Sequence, residues 1–380
     1  MPDRIYLDAN ATTRVDSRVA DAIEPYLREG YGNPSSSHPE GRQAAAAVAK
    51  ARGQVAALLG CAPDEVVFTG GGSEADNLAL KGVAWATRSK GRHLVVSTVE
   101  HPAVSEPARF LEREGWQVTA LPVDRYGQVS AAQVAAALRD DTVLVSIMHA
   151  NNETGTVNDI AAIAAVCRAR GVLFHTDAAQ SAGKLPIDVK DLGVGLLAVA
   201  GHKLYAPKGI GALYVRSGVV LEPLIHGAGH EGGRRAGTEN VPFIAGLGAA
   251  CELARTEGLA NFAQKVRPLR DRLHELLLSA VPDLILNGHP EARLPNTLNV
   301  SVPGLLGRDI LAACPEVSAS TGSACHEGVD RPSPVLAAMG VSSEVALGAL
   351  RLSLSLSTTR EDVDRAAEAI VAAVSRLRQP

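Results

Sequence analysis

The sequence predicts an α/β protein built on a mostly parallel sheet covered by helices, and three observations carry that prediction. From about residue 39 to 260, short apolar runs rich in β-branched residues alternate with helical patterns. The runs are continuous rather than alternating, as in strands buried on both faces. The polar clusters TGGGSE, STVEHPA, MHANNETG, HTDAAQS and AGHK all fall where such strands end, the place where open α/β sheets bind ligands.

In chain order the predicted strands are 65–68, 94–97, 143–147, 172–174 and 196–199, with helices over 73–88, 104–114 and 160–170 between them. After about residue 260 the texture changes: a long helix over 262–280, strands over 297–302 and 351–354, a loop around Cys325 and a last helix over 361–377 suggest a second, α+β domain. A chain of 380 residues is long enough for one large domain and a lesser one.

Composition narrows the function classes. Apolar residues make up 46% and charged residues 21% of the chain, ordinary values for a globular protein. With a net charge of -4 and a pI near 6.3 there is no electrostatic ground for binding nucleic acid or an anionic membrane. The start, MPDRIYLDANATT, lacks the apolar core of a secretory signal, and no window reaches the length of a membrane span, so a cytoplasmic protein is expected. Five scattered cysteines with no Cys-x-x-Cys pair imply neither a disulfide framework nor a metal site. Cys61, Cys167, Cys251 and Cys314 read as small core residues.

Chemistry concentrates at the strand ends. Lys203 closes AGHK directly after an apolar strand, and Asp177 of HTDAAQS closes the preceding one. An amine and a carboxylate so placed are the pair required by pyridoxal phosphate (PLP), the lysine for a Schiff base and the aspartate to keep the pyridine nitrogen protonated. Taken singly, each residue also reads as a surface charge or a turn cap.

The TGGGSE segment, with Gly72 and Ser73, offers free N–H groups and a helix start to a phosphate; alone it reads equally as a glycine turn with a serine cap. His101 can stack on a flat heterocycle and move protons, or simply bond within a loop. Asn152 and Gln180 can donate to a ring oxygen or a carboxylate, and Arg351 presents the fork that fits an amino acid's carboxylate. Cys325, in STGSACHEG, sits among small polar residues where a thiol is chemically available.

With these clusters in order, the chain resembles the cysteine desulfurases of the NifS/IscS type, in the class V aminotransferase branch of fold-type I PLP enzymes. The resemblance runs end to end through LDANATT, YGNPSSSHPEGR, FTGGGSEADNLA, STVEHPAV, VSIMHANNETG, HTDAAQSAGKLP, GHKLYAPKGIGALYV, HEGGRRAGTEN, PNTLNVS and STGSAC. It implies a seven-stranded, mostly parallel sheet between helices in a large domain over 14–258, with 1–13 and 259–380 forming the smaller domain that carries Cys325. PLP would be bound by Lys203, with Asp177 on its ring nitrogen, Gln180 on its ring oxygen and His101 stacked on the ring. Gly72, Ser73 and His202 would hold the phosphate, joined by Thr238 from the other subunit of a homodimer.

L-cysteine would be oriented by Arg351 and Asn152 with Asn33 nearby, and its sulfur taken by Cys325 as a persulfide for a sulfur-acceptor protein. The resemblance leaves the acceptor's pathway open among iron-sulfur assembly, tRNA thiolation and DNA-backbone sulfur modification. One departure stands out: relatives commonly carry a hydroxyl residue where this chain has Ala200, so weaker PLP retention is expected. Two other readings share the scaffold, a selenocysteine lyase or other class V PLP enzyme, and a PLP-binding sulfur carrier or scaffold with little activity. The Cys325 segment discriminates against a transaminase, and the intact Lys203, Asp177 and His101 against a retired enzyme.

Overall fold

The computed structural model describes residues 4–321 and 331–379. Twelve strands run in chain order among them: β1 (Ile5–Tyr6), β2 (Val66–Thr69), β3 (His93–Ser97), β4 (Gln117–Leu121), β5 (Thr142–Ser146), β6 (Leu173–Asp177), β7 (Leu196–Ala200), β8 (Gly211–Val215), β9 (Ile285–Leu286), β10 (Thr297–Ser301), β11 (Val317–Ser318) and β12 (Ala349–Ser353). Seven of them form one sheet in the order β2-β8-β7-β6-β5-β3-β4. Its neighbours pair parallel except at β8, which is antiparallel to both β2 and β7. The predicted mostly parallel, seven-stranded sheet is present.

Every residue of β2, β3, β5, β7 and β8 is buried, which is why the first four read as apolar runs. Helices cover both faces. One apolar cluster gathers Val55, Leu59, Val95, Ile163, Leu197 and Leu247, and the other gathers Leu78, Val83, Leu94, Val104, Leu111 and Leu213. A third cluster joins Ile5 and Leu7 to Phe262, Leu273, Val300, Leu352 and Ile370, around a three-stranded sheet ordered β12-β10-β9.

Three features differ from expectation. Strand β4, at the sheet edge, has an exposed first residue and only one buried position, so no apolar run announces it. Strand β8 lies in the stretch after Lys203, where no strand was predicted. The helix predicted over 262–280 opens on a π-turn, Phe262–Val266, before regular helix from Arg267 to Ala280, and another π-turn, Ala254–Gly258, precedes it.

Candidate active site

Strand ends build the site. Strand β2 runs into Gly70-Gly71-Gly72, and the sixteen-residue helix Gly72–Thr87 starts there. Gly71 has φ 149, a backbone region that a side chain would strain. A Cβ on Gly72 would stand 3.1 Å from the Ala200 Cβ, so absence of side chains keeps this cradle open. Strand β7 ends in the turn Gly201–Lys203, and β6 ends at Asp177. Adjacent parallel pairing of β6 and β7 therefore sets Lys203 beside Asp177.

A cavity of about 550 Å³ opens between these ends, and Gly72, Ser73, His101, Asn152, Asp177, Gln180, His202 and Lys203 all line it. Eight of the predicted site residues thus meet in one place. Arg351 adjoins them, its Nη1 3.3 Å from the Asn152 carbonyl. Asn33 and Thr238 are exposed and do not line this cavity. Cys325 lies outside the described residues.

Electrostatics sharpen the arrangement. Burial pushes the Lys203 amine below its ordinary pKa, partly opposed by Asp177, with Arg351 adding repulsion. An amine with a depressed pKa can be a nucleophile near neutrality. Desolvation likewise lowers His101, reinforced by Lys203, and pushes His202 down to about 4; both are neutral imidazoles at pH 7. His101 caps the helix Pro102–Arg113, its Nδ1 accepting from the Ala103 N–H at 3.1 Å. That bond fixes the tautomer, leaving the proton on Nε2.

Behind Asp177 lies a second tier of acids. Asp76, 1% exposed, is raised well above the carboxylate range by burial and by the nearby Asp177 and Glu100. Its Oδ1 stands 3.5 Å from His175 Nε2. The contact is not an ion pair, because burial pushes His175 down to about 3.

The segment from Asp8 to Thr13, taken in the sequence only as a motif, proves to be part of the site. Asp8 Oδ1 meets Arg351 Nη2 at 2.7 Å. The Asn10 side chain donates to the Asn152 carbonyl (3.2 Å) and Thr297 Oγ1 (2.8 Å) and accepts from Asn296 (3.0 Å). Thr12 Oγ1 is 3.2 Å from His202 Nδ1, and Thr13 Oγ1 donates to the His202 carbonyl at 2.9 Å. Thr13 Oγ1 also accepts from the N–H of Tyr205, which holds the left-handed φ of 62 just past Lys203. The one signal in the sequence was the run of short polar residues directly after an apolar pair.

These residues fit PLP. The glycine cradle at a helix start suits a phosphate, while neutral His202 and exposed Ser73 can donate to it. Asp177 accepts one backbone N–H, from Ala179 at 2.8 Å, and is otherwise available to a ring N–H. The half-buried Lys203 Nζ makes no hydrogen bond among the described residues. His230–Gly233 is tied down separately: Glu231 pairs with Arg52 at 2.6 Å and accepts from the Phe68 N–H at 2.9 Å. Arg235 pairs with Glu74 at 2.9 Å, joining the same loop to the phosphate cradle. No group of three or more His, Cys, Asp or Glu able to hold a metal occurs among the described residues.

Comparison with known proteins agrees with this geometry. The family model described as aminotransferase class-V matches residues 5–366. A cysteine desulfurase IscS of Methanosarcina thermophila is 47% identical over 376 residues, 98% of this chain and 93% of that protein. Among solved structures, a NifS-like protein superposes with a TM-score of 0.92 at 37% identity, covering 98% of this chain and all of the other. A second, described as SspA in complex with cysteine, gives a TM-score of 0.82 at 39% identity over 92% of this chain and 98% of that one.

Proposed function

The chain belongs to the class V aminotransferase family and is a PLP-dependent cysteine desulfurase; from that premise we propose that it passes sulfur through a persulfide on Cys325, with the residues around Lys203 in the roles set out below. The observation that carries the reading is the convergence of Lys203, Asp177, His101 and the glycine cradle on one cavity.

Bound there, PLP supplies an electron sink that lets the Cα proton of L-cysteine leave and loosens the Cβ–Sγ bond. Lys203 would hold the cofactor through Nζ, and its amine would serve as the base for the Cα proton. Asp177 keeps a proton on the ring nitrogen, and Gln180 donates to the ring oxygen. His101, which lines the cavity with its proton on Nε2, would stack on the ring and relay a proton. Arg351 and Asn152 grip the substrate carboxylate. The Cys325 thiolate attacks the substrate sulfur, so that an S–S bond forms, the C–S bond breaks with its electron pair left on carbon, and L-alanine departs after protonation. The sum is L-cysteine plus thiol giving L-alanine plus persulfide, which balances without any oxidant.

The reading includes a homodimer, supported by exposed Thr238 and Asn33 on motif segments with no task in their own cavity, and a sulfur-acceptor protein that relieves Cys325. It also includes the division into 14–258 against 1–13 with 259–380, supported by the separate apolar cluster that joins Ile5 and Leu7 to Phe262 and Ile370. A cytoplasmic setting is supported by the four free thiols among the described residues. No described helix is long and apolar enough to cross a membrane.

The test is to incubate the protein with L-cysteine and measure alanine and sulfide beside Cys325→Ala and Lys203→Ala. Loss of alanine in both variants is expected. Alanine formed at the parent's rate by Cys325→Ala would exclude the persulfide route, and cofactor still covalently reducible onto Lys203→Ala would move the linkage elsewhere, with Lys208 in the same cavity next in line.

A further inference from the structure

Lys184 is a buried amine that the mechanism above does not use. It is 3% exposed, although lysine is almost never fully buried without a partner. Its Nζ lies 3.1 Å from Gln180 Oε1 and 3.4 Å from Asn10 Oδ1. Among the described residues no carboxylate pairs with it; the charges acting on it are two cations, Lys203 and Arg351, the latter itself paired with Asp8. Burial, reinforced by both, pushes the Lys184 amine down to about 7. A protein that kept this residue only for packing would do better with methionine, since an unpaired buried cation is destabilising.

Its partner explains the cost. Charged or neutral, the Lys184 amine has a proton to donate, and the atom it meets at 3.1 Å is the Gln180 amide oxygen. On the other side, Gln180 Nε2 donates at 3.0 Å to the backbone carbonyl of Asn10, which can only accept. Both neighbours thus demand the same orientation, and the amide cannot flip. With Oε1 committed to Lys184 and one N–H committed to Asn10, a single N–H is left over, and Gln180 lines the cavity. Donation to Oε1 also polarises the amide and strengthens its remaining N–H as a donor.

We propose that Lys184 is a positioning residue that locks and polarises the Gln180 amide, so that an N–H and never the oxygen faces the ring oxygen of the cofactor. The proposal rests on the reading of this cavity as a PLP site. A strong donor at the ring oxygen stabilises its anion, and below about pH 7, where Lys184 is protonated, its charge adds to the same field. Both effects make the cofactor's link to Lys203 release its proton at lower pH.

The experiment is a pH titration of the visible absorption band of the purified holoenzyme, parent against Lys184→Met, which keeps the volume and removes both donor and charge. The midpoint is expected to rise by about one pH unit in the variant, a tenfold change in proton affinity. An equal midpoint in a variant that carries the cofactor would overturn the role of Lys184. A parent protein without any cofactor band would instead overturn the PLP reading, so the two failures are distinct. Should Lys184→Met not fold, Lys184→Gln is titrated in its place: its amide can still reach Gln180 but is uncharged, a rise is again expected, and an unmoved midpoint counts against the proposal.

Discussion

Arg351 Nη2 stands 2.7 Å from Asp8 Oδ1, across 343 residues of sequence. The pair joins β12 to the segment that follows β1 and sets the guanidinium beside Asn152, which lines the cavity. Nη1 reaches the Asn152 carbonyl at 3.3 Å, while Nε is buried and has no partner among the described residues. A buried donor left over beside an amino-acid site is what a substrate carboxylate would satisfy.

Arg351→Lys keeps the charge and loses the fork. A hydrogen bond to a charged group contributes about 1.5–3 kcal/mol, so KM for L-cysteine should rise about tenfold to a hundredfold, with kcat changed less. Steady-state alanine production gives both constants. An unchanged KM would remove Arg351 from the carboxylate site.

Asn10→Ala removes the side chain that donates to Asn152 and Thr297 and accepts from Asn296. Asn10 is 1% exposed, so its partners would be left buried and unsatisfied. A loss of about 2–4 kcal/mol in unfolding free energy is expected, read as a lower urea midpoint with an unchanged slope. The backbone carbonyl that fixes Gln180 stays in place, so PLP absorbance should survive.

Glu100→Gln tests the buried acids near Asp177. Burial pushes Glu100 up to about 8, against the hydrogen bonds from Ser97 Oγ and the Met148 N–H to its Oε1. Between its ordinary pKa near 4.5 and about 8 the folded chain holds a proton that the unfolded chain has released. Stability is therefore fully present below pH 4.5 and is lost as pH rises through that window, by a few kcal/mol to order of magnitude. The amide stays neutral and removes this slope, apart from a uniform offset of about 1 kcal/mol for its unpaired N–H. Urea midpoints at pH 5.5 and 8.5 should therefore converge on the parent's, or pass it, at the higher pH.

Most of the cavity was legible in the sequence because its residues sit at strand ends, and strands buried on both faces announce themselves as apolar runs. Lys203, Asp177, His101 and the Gly70–Gly72 turn were found that way. Strand β4 was not, because its edge position leaves it half polar; nor was β8, whose antiparallel direction no local pattern encodes. Asp8, Asn10 and Lys184 were missed for another reason. Their meaning lies in contacts with residues up to 343 positions away, and no periodicity or spacing carries such information. The left-handed Tyr205 is similar, since only the tertiary grip of Thr13 explains a tyrosine there.

Ala200→Ser addresses the phosphate cradle. Ala200 is 4% exposed, lines the cavity and faces Gly72 across 3.1 Å from where that residue's Cβ would be. A hydroxyl on its Cβ would thus enter a space bounded by backbone N–H groups and His202, with few acceptors nearby until an anion arrives. In the apoprotein the added group is a buried hydroxyl short of partners and should cost about 1–3 kcal/mol of stability. With phosphate present it becomes a donor to a charged oxygen, a bond of the stronger kind, and the cost is recovered. The same substitution is therefore expected to lower the urea midpoint of the apoprotein and to tighten PLP binding about tenfold. Fluorescence titration of the apoprotein with PLP measures the second effect. A dissociation constant equal to the parent's would mean that Ala200 does not face the phosphate.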